Sequence, residues 1–264
     1  MNNALALNDF REHMNTLDYS PRTRSHYVDG LKDYKAHGFT EITVENELSY
    51  KQMLIAEGKK GNTVNARIHA LNAYNRWIGL PIIKTLKINE EPFAVNGMEI
   101  DDYHMLLDNL LKDEKYHWYI AVKLLASTGM RIGEAVQVTY GDFRKGAALV
   151  FGKGRKPRMA YFSHSLRETL YLFTKDKPDN EKMIPYGPHY VREAFRRFSK
   201  RYGITCLSSP HEYRRLFSRE LYESTKDPAL VKGLLGHESL KTTYKYIKPT
   251  QKAAMHTYAR AQNW

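Results

Sequence analysis

The chain has 264 residues, with 41 Lys and Arg against 29 Asp and Glu, which gives a formal net charge of +12 at pH 7. Its single cysteine, Cys206, excludes an internal disulfide and a metal site built from several thiolates, and it fits a reducing compartment. The N-terminal sequence MNNALALNDFREHMN turns polar too soon for a signal peptide, and no apolar run approaches the ~18 residues of a membrane span. These features predict a soluble, cytoplasmic protein of one large or two modest domains.

The excess of basic residues favours a polyanionic partner. A folded chain without a basic amphipathic tail binds nucleic acid more often than a membrane surface, so we interpret the charge as a sign of nucleic-acid contact. The alternative is a basic surface that serves solubility alone.

Apolar residues repeat with a period of 3.6 through the first part of the chain, which is the pattern of amphipathic helices. Ser20 is a predicted N-cap, and Pro21 fits the first turn of its helix. The pattern predicts a bundle of four helices, in NDFREHMNTLD, SPRTRSHYVDGLKDYKAHG, SYKQMLIAEGKK and GNTVNARIHALNAYNRWIG. The segment LPIIKTLKINEE then interrupts it with a proline and mixed charges, which is typical of an interdomain connection. We therefore predict a helical domain over 1–82, a linker over 83–95 and a second domain over 96–264.

The second domain begins with two predicted apolar helices, MEIDDYHMLLDNLLKD and YHWYIAVKLLAST, and Gly129 ends the second one. In AALVFGKGRKPRMAYF, two short runs rich in Val, Phe, Tyr and Ala flank a Gly-Lys-Gly-Arg centre, which indicates a β-hairpin with a basic tip. The fold class is therefore mainly α with a small β-hairpin. The remaining predicted helices are Ser163–Lys175, Tyr190–Tyr202, Glu212–Glu223, Pro228–Leu235, a short helix from Ser239, and a tail over Thr250–Trp264.

Cleaving a phosphodiester without a metal needs positive donors around the non-bridging oxygens, an in-line nucleophile and an acid for the departing oxygen. Arginine suits the first task because its planar fork binds two oxygens and keeps its charge. Arg131, in ASTGMRIGEA, lies at a helix start, where backbone N–H groups already favour an anion. A lone arginine at such a position is more often solvated or ion-paired.

Further residues can serve such chemistry, although each also has an ordinary structural interpretation. His211 and Arg214, in SPHEYRRLFSREL, lie three apart and share one helix face, but they can equally form a satisfied surface pair. Lys153, in GKGRKPR, lies at the hairpin tip, where a basic turn often makes only nonspecific phosphate contacts. His237 follows the predicted helix stop Gly236, and a lone histidine is more often structural than catalytic.

The order of these residues and their local motifs resembles the tyrosine recombinase (phage integrase) family, in its simple two-domain type of Xer-like recombinases and short integrases. The family shows an arginine in Thr-Gly-x-Arg-x-x-Glu, a lysine on a β-hairpin, His-x-x-Arg, Leu-Gly-His, and a tyrosine nine residues after that histidine. The resemblance covers about Met98 to Lys248. The N-terminal helices are similar to the family's SAM-like core-binding domain in length, helix content and basic character alone. The six catalytic residues that the resemblance assigns are Arg131, Lys153, His211, Arg214, His237 and Tyr246.

The resemblance implies a mixed α/β catalytic domain that cleaves and rejoins DNA without metal, ATP or cofactor. The tyrosine would attack the scissile phosphate to form a 3′-phosphotyrosyl bond. The two arginines would clamp the phosphoryl oxygens, and His237 would donate a hydrogen bond to one of them. His211 would act as the base, and Lys153 would protonate the leaving 5′-oxygen, with Lys156 as the competing lysine.

Other positions near the motifs are interpreted as structural. The sequence has His-Glu-Tyr-Arg-Arg where the family usually has His-x-Leu-Arg-His. We expect Tyr213 and Arg215 to change local packing and DNA contacts, while the six catalytic residues are kept. Glu134 is predicted to orient its helix or the neighbouring arginine, and Asp142 to cap a turn. Tyr244 points about 200° away from the nucleophile on a helix, which favours a packing or DNA-facing role.

The same resemblance implies double-stranded DNA core sites with inverted repeats as the partner, and a homotetramer on two such sites. A tail helix carrying Met255, Tyr258 and Trp264 would dock on a neighbouring subunit, or else fold back on its own domain. Polar residues near helix starts of the first domain are candidate DNA contacts, with a solvated basic face as the alternative. They are Arg22, Arg24, Lys59, Lys60, Asn62, Asn65 and Arg67.

Other functions share parts of this pattern. A type IB topoisomerase or a telomere resolvase uses the same strand-transfer chemistry, and strand exchange between two sites distinguishes them from a recombinase. A nuclease would use the histidines and the lysine as acid and base, and it would release free ends. A non-catalytic DNA-binding protein is disfavoured because all six residues are present. The sequence does not separate integration or excision from inversion or resolution.

Overall fold

The structure is a computed structural model that describes residues 4–88, 93–94, 97–152, 154, 156–204, 206 and 208–262. The chain divides into two compact units, Met1–Glu90 and Glu91–Trp264. Each unit has its own apolar core. Among the helices of the described residues, none combines the length and apolar character needed to cross a membrane.

The described part of the first unit contains the four predicted helices. The third begins earlier than predicted, because Thr43 caps it by accepting a hydrogen bond from the Asn46 backbone at 3.1 Å. Ser20 caps the second helix in the same way, as predicted, through the Thr23 N–H at 3.1 Å. The helices are α1 (Leu7–Thr16), α2 (Pro21–Ala36), α3 (Val44–Ala56) and α4 (Gly61–Ile78).

Among its described residues, the bundle of the first unit buries aromatic and aliphatic side chains together with the acidic side chain of Glu47. A Cβ added to Gly30 on α2 would lie 2.4 Å from the Cβ of Ala70 on α4, so a glycine lets these helices pack closely. Glu47, on α3, is buried and accepts a hydrogen bond from Asn75 Nδ2 at 2.8 Å. Burial raises the pKa of Glu47 to about 7, against the opposing effect of that hydrogen bond.

The second unit is mainly helical and contains the predicted β-hairpin, so the predicted fold class is confirmed. Its strands are β1 (Ala147–Phe151) and β2 (Pro157–Tyr161), which pair antiparallel with Leu149 opposite Met159. The helices are α5 (Ile100–Lys112), α6 (Tyr116–Thr128), α7 (Ile132–Ala135), α8 (Tyr140–Lys145), α9 (His164–Thr174), α10 (Pro188–Arg201), α11 (Pro210–Thr225), α12 (Pro228–Leu235), α13 (Leu240–Ile247) and α14 (Gln251–Ala261).

The ends of these helices follow the capping signals in the sequence. Asp227 caps α12 by accepting from the backbone of Ala229 at 2.8 Å, and Gly236 ends it with φ 63°, as predicted. Asp142 forms a capping box with Thr139, which confirms its structural role. Helix α11 begins at Pro210, before the predicted start, because Pro is well suited to the first helical turn.

The core of the second unit surrounds α6, and it fixes the elements that carry the predicted site residues. Helix α11 packs against α6, and α13 packs against both α11 and α12. Gly129 ends α6 at φ 60°, and a Cβ there would lie 2.5 Å from the Phe217 ring. A smaller apolar cluster of Val231, Leu235 and Ile247 joins α12 to α13. The segments after α6 and α12 are therefore held close to α11.

We expect the buried acid of the first unit to make the stability of the protein depend on pH. The pKa of Glu47 is about 7 when folded against 4.5 for an ordinary glutamate, so the folded state holds a proton that the unfolded state loses. The free energy of unfolding should therefore fall as the pH rises from 4.5 to about 7. Glu47→Gln should remove up to about 3 kcal/mol of this fall. Denaturant unfolding at several pH values measures the free energy of unfolding of each variant. Glu45→Gln, a change at an exposed position on the same helix, is the matched control. Equal pH profiles for both variants would contradict the prediction.

Gly236 should tolerate a side chain less well than another glycine of the same backbone conformation. A Cβ on Gly236 would lie 2.8 Å from Arg158 Cδ, whereas one on Gly203, at φ 65°, would meet no atom within 4 Å. Alanine costs about 1–2 kcal/mol at either position because φ is positive. We expect Gly236→Ala to lose about 1–3 kcal/mol more, since Arg158 must move. Equal losses of unfolding free energy in denaturant titrations would show that this contact is unimportant.

Candidate active site

Arg131 and Glu134 form the first part of the site, at the start of α7. Arg131 is the N-cap residue, and the Glu134 carboxylate, which is 1% exposed, accepts from the Arg131 backbone N–H at 2.8 Å and from its Nη1 at 3.1 Å. Burial alone would raise the pKa of Glu134, but hydrogen bonds from Arg158 and Arg131 and their charges outweigh it and lower the pKa. Glu134 is therefore an ionised group that orients Arg131, which confirms the structural interpretation.

Arg214 projects from α11 into the interior and is 1% exposed. Its Nη1 donates to the carbonyl of Gly129, and its Nη2 donates to the carbonyl of Leu235 at 2.7 Å. Burial, and then the charge of Arg131, lower the pKa of Arg214 to about 10, so it remains a cation at neutral pH. The guanidinium is thus held rigidly between the ends of α6 and α12.

His211 and Tyr246 approach each other from α11 and α13. The Tyr246 hydroxyl lies 3.5 Å from His211 Nδ1, and the Tyr246 ring faces the Arg214 guanidinium at 5.7 Å. Burial, and then the positive charge of Arg214, lower the pKa of His211. Tyr244 is 51% exposed, as a neighbour two positions away on the same helix should be.

His237 follows the left-handed Gly236 and is buried, with its ring 4.9 Å from that of Tyr246. Its Nδ1 lies 3.0 Å from Thr243 Oγ1, and its buried Nε2 has no hydrogen-bond partner among the described residues. Burial, and then Arg214 and Arg131, lower the pKa of His237 to about 4, so the ring is neutral at pH 7. If Thr243 donates to Nδ1, the ring proton lies on Nε2.

A pocket of about 310 Å³ opens between these elements. Among the described residues, its lining includes three arginines, two of them predicted from the sequence and the third, Arg192 on α10, not predicted. Gly133 also lines the pocket, and a side chain there would meet no described atom within 4 Å. The described residues contain no group of His, Cys, Asp or Glu that could hold a metal ion. The positively charged lining of the pocket suits an oxyanion.

Of the six predicted residues, three line this pocket and two, His237 and Tyr246, lie beside His211 and Arg214, while the sixth, Lys153, lies outside the described residues. The competing lysine, Lys156, is exposed, and its Nζ lies 2.5 Å from Glu238 Oε1. The five that converge are Arg131, His211, Arg214, His237 and Tyr246.

Arg158, on β2, is a second residue that the sequence reasoning missed. Its Nη2 lies 2.6 Å from Glu134 Oε2, and its Nη1 donates to the Leu234 carbonyl at 2.9 Å. The signal was the alternation along the strand, in which Arg158 shares the inward face with the buried Ala160. A charged residue on that face has to find a buried partner.

The two departures from the family motif have simple structural accounts. Tyr213 is fully buried, and its hydroxyl hydrogen-bonds with the Ser208 hydroxyl. Arg215 Nη1 pairs with Glu212 Oε1 at 3.0 Å, one turn earlier on the same helix. Neither side chain lines the pocket among its described residues.

The candidate DNA contacts of the first unit differ in their availability. Asn65 holds the backbone of Leu86 with both side-chain atoms, at 2.6 and 3.0 Å, so its amide already serves the fold. Lys60 and Asn62 lie exposed at the start of α4.

The remaining candidates contact neighbours in the same unit. Arg24 Nε donates to the Tyr19 carbonyl at 2.8 Å, and Arg22 Nε lies 3.5 Å from His26 Nε2. Arg67 Nε lies 3.1 Å from Asp33 Oδ2, and Lys59 Nζ lies 3.4 Å from Glu57 Oε2.

Comparison with curated proteins finds relatives along almost the whole chain. The chain is 26% identical to tyrosine recombinase XerA of Pyrococcus furiosus over 97% of this chain and 93% of the relative. It is 24% identical to tyrosine recombinase XerD of Oceanobacillus iheyensis over 90% of this chain and 88% of the relative.

Solved structures show the same fold. A lambda integrase (75-356) dimer bound to a COC′ core site matches with a TM-score of 0.74 and 20% identity, over 93% of this chain and 95% of that one. A XerA recombinase structure matches with a TM-score of 0.53 and 20% identity, over 98% of both chains. The model of the phage integrase family matches residues 97–253, more than half of the chain and the part that holds the pocket. The resemblance in the motifs is thereby confirmed, and the chain belongs to the phage integrase family.

Proposed function

We propose that the protein is a site-specific DNA recombinase that cleaves and rejoins DNA strands through a phosphotyrosine at Tyr246. The observation that carries the proposal is the convergence of Tyr246 with His211 and Arg214 beside a pocket rich in arginine. Membership of the phage integrase family, and relatives that are tyrosine recombinases, support it. As catalytic and DNA-binding parts we propose 96–264 and 1–82, joined by a linker over 83–95.

The pocket supplies the donors that a scissile phosphate needs. Arg131 and Arg214 keep their charge and present N–H groups in fixed directions, so they suit the two non-bridging oxygens. The neutral His237 adds the Nε2–H, which lacks a partner among the described residues. Charge that develops on the pentavalent phosphorus centre then meets donors whose positions are set before the reaction.

The nucleophile is activated next to these donors. A phenol is a weak nucleophile while protonated, and a neutral His211 can take its proton as the Tyr246 oxygen bonds to phosphorus. The bond from phosphorus to the 5′-oxygen breaks, and Lys153 gives that oxygen a proton. Because one phosphoester replaces another, the bond energy is kept, and ligation is the reverse of these steps.

The C-terminal helix supports an assembly of several subunits. Helix α14 has no buried residues in the described part of the chain, and it exposes Met255 and Tyr258. We propose that this helix docks on a neighbouring subunit and that four chains act on two DNA sites with inverted repeats; Trp264, predicted to take part, lies outside the described residues. A lambda integrase of the same fold has been solved as a tetramer bound to a Holliday junction.

Lys60 and Asn62 are the proposed DNA contacts of the first unit, and the protein is expected to work in the cytoplasm.

Replacing the proposed nucleophile should abolish the covalent intermediate. A suicide substrate with a nick beside the cleavage site traps the protein on DNA, and denaturing electrophoresis shows the adduct. Tyr246→Phe should form none, whereas Tyr244→Phe, the exposed neighbour, should form it at the normal rate. Cleavage by Tyr246→Phe would overturn the mechanism and indicate a nuclease, and relaxation without strand exchange between two sites would indicate a topoisomerase.

Cleavage should lose rate on acidification because His211 must be neutral to accept the tyrosine proton. The pKa of His211 is lowered from 6.5 by burial and the nearby arginines, so the loss should centre below pH 6.5. Cleavage measured at DNA concentrations far below the Kd reports the pKa of the free protein. His211→Gln, measured in parallel, should be slower and should lose this acidic limb. A midpoint at or above pH 6.5, or the same limb in His211→Gln, would contradict the assignment of the base.

A further inference from the structure

The guanidinium of Arg158 joins parts of the site that come from distant segments of the chain. From β2 it reaches Glu134 Oε2 at 2.6 Å on α7, and the carbonyl of Leu234 at 2.9 Å near the end of α12. Arg158 is 14% exposed at its side chain, so its charge is largely removed from solvent. The Arg158 side chain thus connects the β-hairpin to two further segments. One is α7, which directly follows Arg131, and the other is the end of α12, which directly precedes His237.

Through Glu134, Arg158 acts on Arg131. The same Oε2 that binds Arg158 also accepts the Arg131 backbone N–H at 2.8 Å, and Oε1 accepts its Nη1 at 3.1 Å. A buried carboxylate needs its full set of partners, because an unpaired charge in this environment is costly. Loss of Arg158 would therefore leave Glu134 to move or to take up a proton, and either change disturbs the Arg131 fork.

Through the end of α12, Arg158 also acts on His237. Arg158 holds the Leu234 carbonyl, and Arg214 holds the next one, that of Leu235. The turn at Gly236 packs on the Arg158 stem so closely that a Cβ there would lie 2.8 Å from Cδ. His237 follows this turn directly, so its ring is placed by a segment that rests on Arg158.

We propose that Arg158 is a positioning residue for DNA cleavage, which sets Arg131 and His237 at the separation that the scissile phosphate requires. The inference rests on the proposed function. Arg158 is assigned a supporting role because it is not among the described residues that line the pocket, and because its Nη1 and Nη2 bind the Leu234 carbonyl and Glu134, respectively. Its loss should weaken the stabilisation of charge on the phosphate and leave protonation of the 5′-oxygen unchanged.

The test compares three suicide substrates that differ only at the scissile group. One has the natural phosphate, one a neutral methylphosphonate, and one a sulfur in place of the bridging 5′-oxygen, which needs no acid when it leaves. Variants Arg158→Met and Arg158→Lys are measured beside Arg144→Met. Arg144 is the control because, like Arg158, it bonds backbone carbonyls and a carboxylate, here those of Thr174, Lys177 and Asp179, away from the pocket.

With the natural phosphate, Arg158→Met should cleave about 10²-fold more slowly than the unmodified protein at saturating DNA, as a misplaced donor would require. Its deficit relative to the unmodified protein should shrink on the methylphosphonate, where less charge has to be stabilised, and persist on the 5′-sulfur substrate. Arg158→Lys keeps a positive charge for Glu134 but lacks the two-pronged guanidinium. Its cleavage rate should lie between those of the unmodified protein and Arg158→Met. Arg144→Met should show no such dependence on the substrate once corrected for the folded fraction.

Two results would overturn the proposal. An equal deficit of Arg158→Met on all three substrates would show general damage, and recovery on the 5′-sulfur substrate would show that Arg158 acts on the leaving group. A failure of the proposed function is recognised separately, because the unmodified protein would then form no adduct at Tyr246 on any substrate.

Discussion

The pocket gathers positive charges that repel one another, and the buried carboxylate of Glu134 offsets that repulsion. Arg131 and Arg158 both bind it, and its charge also favours the charged form of Arg214. Among the described residues that line the pocket, Glu134 is the acidic one. Without a phosphate present, the guanidinium groups would otherwise separate or turn to solvent. In the proposed mechanism, the carboxylate therefore allows the donors for a dianionic transition state to be assembled before DNA arrives.

The backbone supplies the second constraint on the site. Arg158 and Arg214 end on carbonyl groups that a helix leaves without an intrahelical partner, at Gly129 after α6 and at Leu234 and Leu235 in α12. These bonds satisfy the helix ends and fix the guanidinium groups at the same time. The glycines that end α6 and α12 adopt positive φ, which turns the chain sharply into Arg131 and His237. The same hydrogen bonds and turns therefore cap the helices and set the positions of the site residues.

The parts of this arrangement that depend on local signals could be predicted from the sequence. The bounds of α12, its Asp227 cap and its Gly236 stop follow from residues next to one another in the chain, and so does the β-hairpin. The start of α3 at Val44, with its Thr43 cap, was missed because the cap precedes the clear apolar repeat.

Arg158 and Arg192 were missed for a different reason, which is that their roles depend on contacts across the fold. Arg158 meets residues of α7 and α12, and Arg192 reaches the pocket from α10, so no local spacing reveals either. In the same way, nothing near Asn65 in the sequence shows that it holds Leu86 rather than facing a ligand. Sequence motifs identified the groups that suit the chemistry, while tertiary packing decides which polar groups support them.

The protonation of the two histidines follows from the same charges that suit the pocket to phosphate. Burial and the arginines keep His211 and His237 neutral in the free protein, since each pKa is lowered. A bound phosphate brings negative charge close to both rings and offsets the arginines, so the pKa of each histidine must rise on binding. In the proposed mechanism, His211 then becomes a stronger base, and the Nε2–H of His237 becomes a donor to a charged acceptor, when the substrate is present. In the proposed mechanism, the charge of the substrate therefore offsets the electrostatics that keep both histidines neutral in the free protein.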